Sequence, residues 1–347
     1  LYPFDKHENG TPKLPGELIS HAFELDALLA VNLCERYSNE SKNSDKLSKL
    51  IRKSPLAACH IHTALKYLLN EGGSSSTGKG VPHEVIYWVP VSPSSSINLF
   101  LPPWNRNKFL LQYNLRALES HDVENTFFYV PQIVQCLRHD DHRYVERFIL
   151  DTAKISLQFS HQIIWNMLAN EYQDDEAMVE DSMKPTLERI RGKMIDTYDE
   201  EARLYYEREF SFFNDVTGIS GKLKPYIKKT KAEKKQKIDE EMAKIEVPLD
   251  VYLPSNPDGI VVDIDRKSGK PLQSHAKAPF MATFKVRREK ESGSDDDSEK
   301  AVTEDVWQSA IFKVGDDCRQ DVLALQLISL FRSIWSFIGL DVYVFPY

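Results

Sequence analysis

The hydrophobic period of this chain changes near residue 246, and that change limits the folds open to it. Before it, apolar residues recur at helical spacing; after it come short β-forming runs separated by turns rich in Gly, Pro and Ser. Helical patterns cover Leu18–Glu35, Ser44–Lys53, Leu56–Leu69, Phe109–Glu119, Phe128–Leu137, Tyr144–Phe159, His161–Tyr172 and one long charged stretch, Pro185–Phe213. Their short connections and lack of a fixed repeat predict an irregular, solenoid-like helical array. Strand patterns cover Val247–Leu253, Gly259–Ile264, Phe280–Val286, Ala310–Val314 and Val342–Phe345, with one strong helix at Gln320–Ile338. The expected fold class is α+β. Residues 1–245 form a helical domain with a helical linker, and 246–347 a mostly antiparallel sheet with one helix.

Composition narrows the function. A 347-residue chain with 41% hydrophobic and 28% charged residues can bury sizeable cores. A net charge of −8 argues against nucleic-acid binding. Cys34, Cys59, Cys136 and Cys318 are widely spaced, which suggests neither disulfides nor a zinc knuckle and favours a reducing compartment. Leu1-Tyr2-Pro3-Phe4-Asp5 has no signal-peptide layout, and the chain reads as a piece of something larger. Leu323–Phe345 is interrupted by Gln326, Arg332 and Asp341. Its apolar residues Leu323, Leu327, Leu330, Ile334 and Phe337/Ile338 trace one amphipathic helix face, so any membrane is met at its surface.

Several motifs read as structural. Gly73–Gly80 imitates a phosphate loop but has Gly80 where Ser or Thr belongs, and it reads as a flexible linker. Cys59-His60-Ile61-His62 and His139-Asp140-Asp141-His142 lack metal-site spacing; the Asp is a natural helix cap, and no metal ligands are assigned. Gln173–Asp181 is an acidic loop, and Glu289–Glu304 reads as a disordered one. The eight lysines between Lys222 and Lys237 read as a solvated helix face, with contact to anionic lipid as the alternative.

Ala310–Asp321 carries chemistry. Alternation puts Lys313 on the face opposite Phe312, and Asp321 lies within reach in the next helix. The pair is either an ordinary salt bridge or the device that presents a lysine to ATP phosphates.

The stretch Phe312-Lys313-Val314-Gly315-Asp316-Asp317-Cys318-Arg319-Gln320-Asp321 resembles the phosphoinositide 3-/4-kinase family without a gap. Gln273-Ser274-His275-Ala276-Lys277-Ala278-Pro279 resembles its phosphate loop, and Val344-Phe345-Pro346-Tyr347 the strand before its hinge. Phe128–Gln135 and Ser160–Trp165 resemble its helical accessory domain. Leu253–Pro257 and Lys277–Phe280 most resemble the type III alpha branch of the phosphatidylinositol 4-kinases.

The resemblance implies that Lys313 binds the ATP α- and β-phosphates, oriented by Asp321. It implies that Gln273, Ser274, His275, Ala276, Lys277, Ala278 and Pro279 cover the phosphates, and that Ile311 and Tyr347 line the adenine pocket. The implied reaction transfers the γ-phosphate of ATP, with Mg²⁺, to the 4-hydroxyl of phosphatidylinositol. The expected setting is cytoplasmic and peripheral, at the plasma membrane, with partner scaffold proteins in a larger complex. Neither Asp-Arg-His-x-x-Asn nor Asp-Phe-Gly occurs in the 347 residues, so they are expected to be inactive alone. The Mg²⁺ ligands are expected in a lobe beyond Tyr347. The competing readings are another phosphoinositide kinase or related protein kinase, and a helical scaffold with a degenerate kinase-like part.

Overall fold

The computed structural model describes residues 16–37, 41–70, 80–174, 177–273, 278–289 and 303–344. The linker reading of Gly73–Gly80 and the disorder reading of Glu289–Glu304 fall almost wholly outside these residues. The fold is α+β, and the chain divides into two compact units, Leu1–Thr152 and Ala153–Tyr347.

The first unit contains α1 (Gly16–Leu25), α2 (Ala27–Arg36), α3 (Ser41–Lys53), α4 (Leu65–Leu69), α5 (Pro93–Leu99), α6 (Lys108–Glu119), α7 (Val123–Phe127), α8 (Val130–Cys136) and most of α9 (Tyr144–Ile155). Caps override the hydrophobic period here. The pattern at Leu18–Glu35 is two helices, because Asp26 accepts the Leu28 N–H at 2.8 Å and restarts the chain as α2. Leu56–Leu69 forms short 3₁₀ turns before α4. The Trp88 indole lies fully buried there and donates to the Ile61 carbonyl. Asp140 accepts the Tyr144 and Glu146 N–H groups at 2.8 Å, which is a helix-capping role; burial pushes its carboxyl up. Cys59 donates to Leu56 O, and His62 bonds Pro90 O. No group of three or more His, Cys, Asp or Glu side chains is gathered as for a metal among the described residues.

The second unit contains α10 (Leu157–Ala169), α11 (Lys184–Asp196), α12 (Glu200–Leu223), α13 (Lys231–Met242), the strands β1 (Tyr252–Leu253), β2 (Asn256–Pro271), β3 (Phe280–Glu289) and β4 (Thr303–Phe312), and α14 (Arg319–Phe337). The expected single helix Pro185–Phe213 is two. Thr197-Tyr198-Asp199 breaks it, and Asp199 caps α12 by accepting the Ala202 N–H at 2.8 Å. Among the described residues the strands form one antiparallel sheet in the order β1-β2-β3-β4. Of Val247–Leu253 only the last two residues form strand, with the Val251 carbonyl accepting the Val261 N–H at 2.7 Å just before them. Residues 341–344 join no ladder, with Tyr343 91% exposed: β-formers become a strand only beside a partner edge. No described helix is long and apolar enough to cross a membrane.

The change of period at residue 246 lies inside this unit, because α12 and α13 share a core with the sheet. Phe212, Val216, Ile219, Leu223, Ile238 and Met242 pack with Val261, Ile264, Phe280, Phe284 and Phe312. A buried carboxylate fastens the two helices. Glu241 takes the ammonium groups of Lys222, Lys237 and Lys244 at 2.6–2.8 Å, which hold its carboxyl down to about 2. The Ser160–Trp165 stretch seen in sequence is the buried middle of α10. The Gln158 and Gln162 amides donate to the Pro257 and Pro254 carbonyls at 2.7 and 2.9 Å, fixing α10 to the β1–β2 turn. Trp165 stacks on Phe210 at 3.9 Å.

Beside it lies a pH-sensitive carboxyl. Glu209 is fully buried and accepts the Tyr252 N–H at 3.0 Å; burial pushes its carboxyl up to about 7. Tyr205, Tyr252, Asp250 and Arg208 lie around it. A raised folded-state value means the folded chain holds the proton more tightly than the unfolded chain. The Glu209 contribution is therefore most favourable in mild acid and is lost as pH rises from about 4.5 to about 7. Buried His161, pushed down to about 4, acts in the opposite sense between about 4 and about 6.5. Glu209→Gln keeps an acceptor for Tyr252 and removes the buried charge. Its melting temperature should exceed the parent's at pH 8, with the gap closing by pH 5. A gap that stays constant with pH would contradict the shifted carboxyl.

Candidate functional site

The site is built at one end of the sheet by register. Phe280 pairs with Phe312 and Met281 with Ile311, so the β2–β3 loop and the residue after β4 stand at the same end. The two faces of β3 and β4 differ. Phe280, Ala282, Phe284 and Val286 are buried, while Met281, Thr283 and Lys285 alternate with them on the other face. Phe312 belongs to the buried face. It stacks on Phe280 at 5.1 Å and lies 5.8 Å from Phe284 and 6.4 Å from Phe213. Ile311 is on the open face, 56% exposed, opposite Met281.

Lys313 follows one residue beyond the strand and is exposed, on the side away from the core. Its Nζ is 3.6 Å from Asp321 Oδ2, and the two side chains are 44% and 43% exposed. This pairing was legible in the sequence. At that exposure the pair is weak, on the order of 0–1 kcal/mol. It orients the ammonium while leaving donors facing solvent.

The turn between them is stiff. Gly315 has φ 72°, a left-handed conformation that a glycine adopts without strain. Asp317 accepts the Arg319 N–H and both arms of its guanidinium at 2.9 Å, and the Arg319 side chain holds that carboxyl below the usual range. This fork starts α14 and places Asp321 in its first turn. In the sequence Asp317 and Arg319 stand out only as part of a pattern, and their spacing of two is the one signal of the fork.

The loop after β2 is closed at its base. The Leu272 N–H donates to the Pro279 carbonyl at 3.0 Å, and the Ser220 hydroxyl of α12 donates to the Ala278 carbonyl at 3.1 Å. Gln273 is exposed, and Ala278 and Pro279 are half-buried. Ser274, His275, Ala276, Lys277 and Tyr347 lie outside the described residues. Ser220 was missed in the sequence, since its partner is 58 residues away. The arrangement thus brings together an exposed ammonium, an apolar side chain on the same open face and the base of an anchored loop.

Residues 38–203 match the phosphoinositide 3-kinase family accessory domain (PIK domain). All of the chain aligns with phosphatidylinositol 4-kinase STT4 of Saccharomyces cerevisiae at 60% identity, covering 18% of that protein. The Schizosaccharomyces pombe phosphatidylinositol 4-kinase stt4 is 50% identical over 95% of the chain, which again covers 18% of it. Phosphatidylinositol 4-kinase alpha 1 of Arabidopsis thaliana is 35% identical over 95% of the chain, 16% of its own length. The chain therefore spans less than a fifth of the length of these relatives. With identity running through both the accessory-domain match and the sheet that carries Lys313, the chain belongs to the phosphatidylinositol 4-kinase alpha family.

Proposed function

We propose that this chain is the accessory and nucleotide-gripping portion of a lipid kinase that makes phosphatidylinositol 4-phosphate from phosphatidylinositol and ATP. The observation that carries this reading is the exposed Lys313 ammonium, 3.6 Å from Asp321, beside an anchored loop. The geometry fits ATP in two respects. A nucleotide needs a cation for its phosphates and an apolar surface for its base, and Lys313 and Ile311 offer these on one face. Lys313 would hold the α- and β-phosphates, with Asp321 fixing its direction. Gln273, Ala278 and Pro279 belong to the loop proposed to cover the phosphates, together with Ser274, His275, Ala276 and Lys277; Tyr347 would complete the adenine wall with Ile311.

ATP supplies the transferred γ-phosphoryl group, and Mg²⁺ would neutralise charge on it. The Mg²⁺ ligands are proposed to come from outside these 347 residues. The division of labour is helical up to about residue 245 and nucleotide-binding from 246 onward. The protein is proposed to work at the cytoplasmic face of the plasma membrane as a peripheral enzyme held there by scaffold partners. The names of its relatives support the 4-hydroxyl as acceptor over other ring positions.

The test uses the protein at the length of its relatives. Given phosphatidylinositol vesicles and ATP, it should yield phosphatidylinositol 4-phosphate, identified by chromatography of the deacylated headgroup. A product phosphorylated at another ring position would sink the assignment, and so would phosphorylation of protein but not lipid.

A further inference from the structure

The lysine-rich run from the end of α12 into α13 lies outside the residues proposed to touch the nucleotide. Between Lys222 and Ile238 the sequence has eight lysines and a single acid, Glu233, in a chain whose net charge is −8. The structure sorts these lysines into two sets. Lys222 and Lys237 are committed to buried Glu241, Lys235 to Asp239 and the Lys267 carbonyl, and Lys229 to Glu233. Glu233 is itself engaged in a capping box with Thr230. Lys224, Lys228, Lys231 and Lys234 remain, the first three exposed and Lys234 partly so. Among the described residues none of these four has an acid within ion-pair distance.

Their position is set by the core. α12 ends at Leu223, which is buried against the sheet; Lys224 and Lys228 follow on the turn, and Lys231 and Lys234 on the first turns of α13. Ser220, one turn earlier, holds the Ala278 carbonyl at the base of the β2–β3 loop. The free lysines thus project from the segment that anchors the candidate nucleotide loop. No large apolar side chain is exposed among the described residues between Leu204 and Leu249. A protein partner would have nothing apolar to clasp there, whereas a plane of mobile anionic headgroups needs only cations.

We propose that Lys224, Lys228, Lys231 and Lys234 form a docking surface for an anionic lipid bilayer, and that it turns the nucleotide-loop side of the second unit toward the membrane. Each lysine close to an anionic leaflet is worth about a five-fold gain in partitioning, so four together give roughly several hundred-fold. That strength orients a protein already brought to a membrane and does not replace the partners that bring it. Only the functional meaning of this orientation rests on the nucleotide reading; the lipid contact does not.

The experiment compares the full-length protein with its Lys224→Gln/Lys228→Gln/Lys231→Gln/Lys234→Gln variant. Both are sedimented with vesicles of phosphatidylcholine alone and with vesicles containing about one-third phosphatidylserine. The parent should favour the anionic vesicles, and that preference should fade as salt rises. The variant should lose roughly several hundred-fold in partitioning onto anionic vesicles. It should keep its melting temperature and its affinity for ATP, because none of the four side chains has an ion-pair partner among the described residues. Equal partitioning of parent and variant, or a parent indifferent to phosphatidylserine, overturns the proposal. So does a variant that binds vesicles normally but loses a protein partner. Lys313→Ala should bind vesicles like the parent, so a failure of the nucleotide reading shows in ATP binding alone.

Discussion

Lys313→Ala should lower the proposed lipid-kinase turnover of the full-length protein by about a thousand-fold or more, which is about 4 kcal/mol of transition-state stabilisation. The size follows from what is removed. In the proposed site the ammonium would contribute a charge aimed at the phosphate oxygens of bound nucleotide, and contacts made to charge that develops in a transition state exceed the value of an ordinary surface ion pair. Stability should hardly change. The side chain is 44% exposed and its ion pair with Asp321 is solvated, so its loss should cost the fold less than about 1 kcal/mol. The checks are steady-state lipid phosphorylation and a melting curve run on the same preparation. Activity within ten-fold of the parent would remove Lys313 from the site; a large fall in melting temperature would assign it a structural role instead.

The second large effect concerns the neighbouring residue. Phe312→Ala should destabilise the second unit by about 3–5 kcal/mol, because it empties the space between Phe280, Phe284 and Phe213. The loss is one of packing, yet it should also weaken nucleotide binding. Phe312 sets the last register pair of β4 and so decides where Lys313 emerges. Phe312→Leu should recover most of the stability and most of the affinity. Denaturant unfolding and nucleotide titration of both variants check this. An Ala variant that unfolds at the parent's denaturant concentration would contradict the packing account.

These two residues also show how much the sequence revealed. The opposition of Phe312 and Lys313 was legible because strand alternation is a local rule, and Asp321 was legible because one short turn separates it from the strand. The position of β4 was less so: it starts at Thr303, seven residues before the expected strand, where Glu304 and Asp305 pair with Arg288 and Arg287 across the ladder. A charged segment looks like a loop until its partner strand supplies opposite charges. Helix limits failed where single side chains overrule the apolar period, as at Asp26, Ser156 and Asp199, each of which accepts a backbone N–H and restarts a helix. The expected strand at Val342–Phe345 did not form over the described residues, since propensity cannot supply a partner edge.

Contacts distant in sequence were beyond reach. Nothing near Ser220 indicates that its hydroxyl holds Ala278, and nothing in the lysine run says which lysines Glu241 takes. Here the structure refines both earlier readings of the run. Half of its eight lysines serve as the solvated, paired face that the sequence favoured. The other half, on the turn and at the start of α13, have no acid within ion-pair distance among the described residues.

Whether Lys313 grips a nucleotide can be read from chemical labelling. An acyl-phosphate derivative of ATP transfers its acyl group to a lysine held against the phosphates, and peptide mass spectrometry then locates the label. Lys313 should be labelled, and excess ATP should block that labelling. Labelling that ATP blocks at other lysines, with Lys313 unmodified, would contradict the nucleotide role of Lys313.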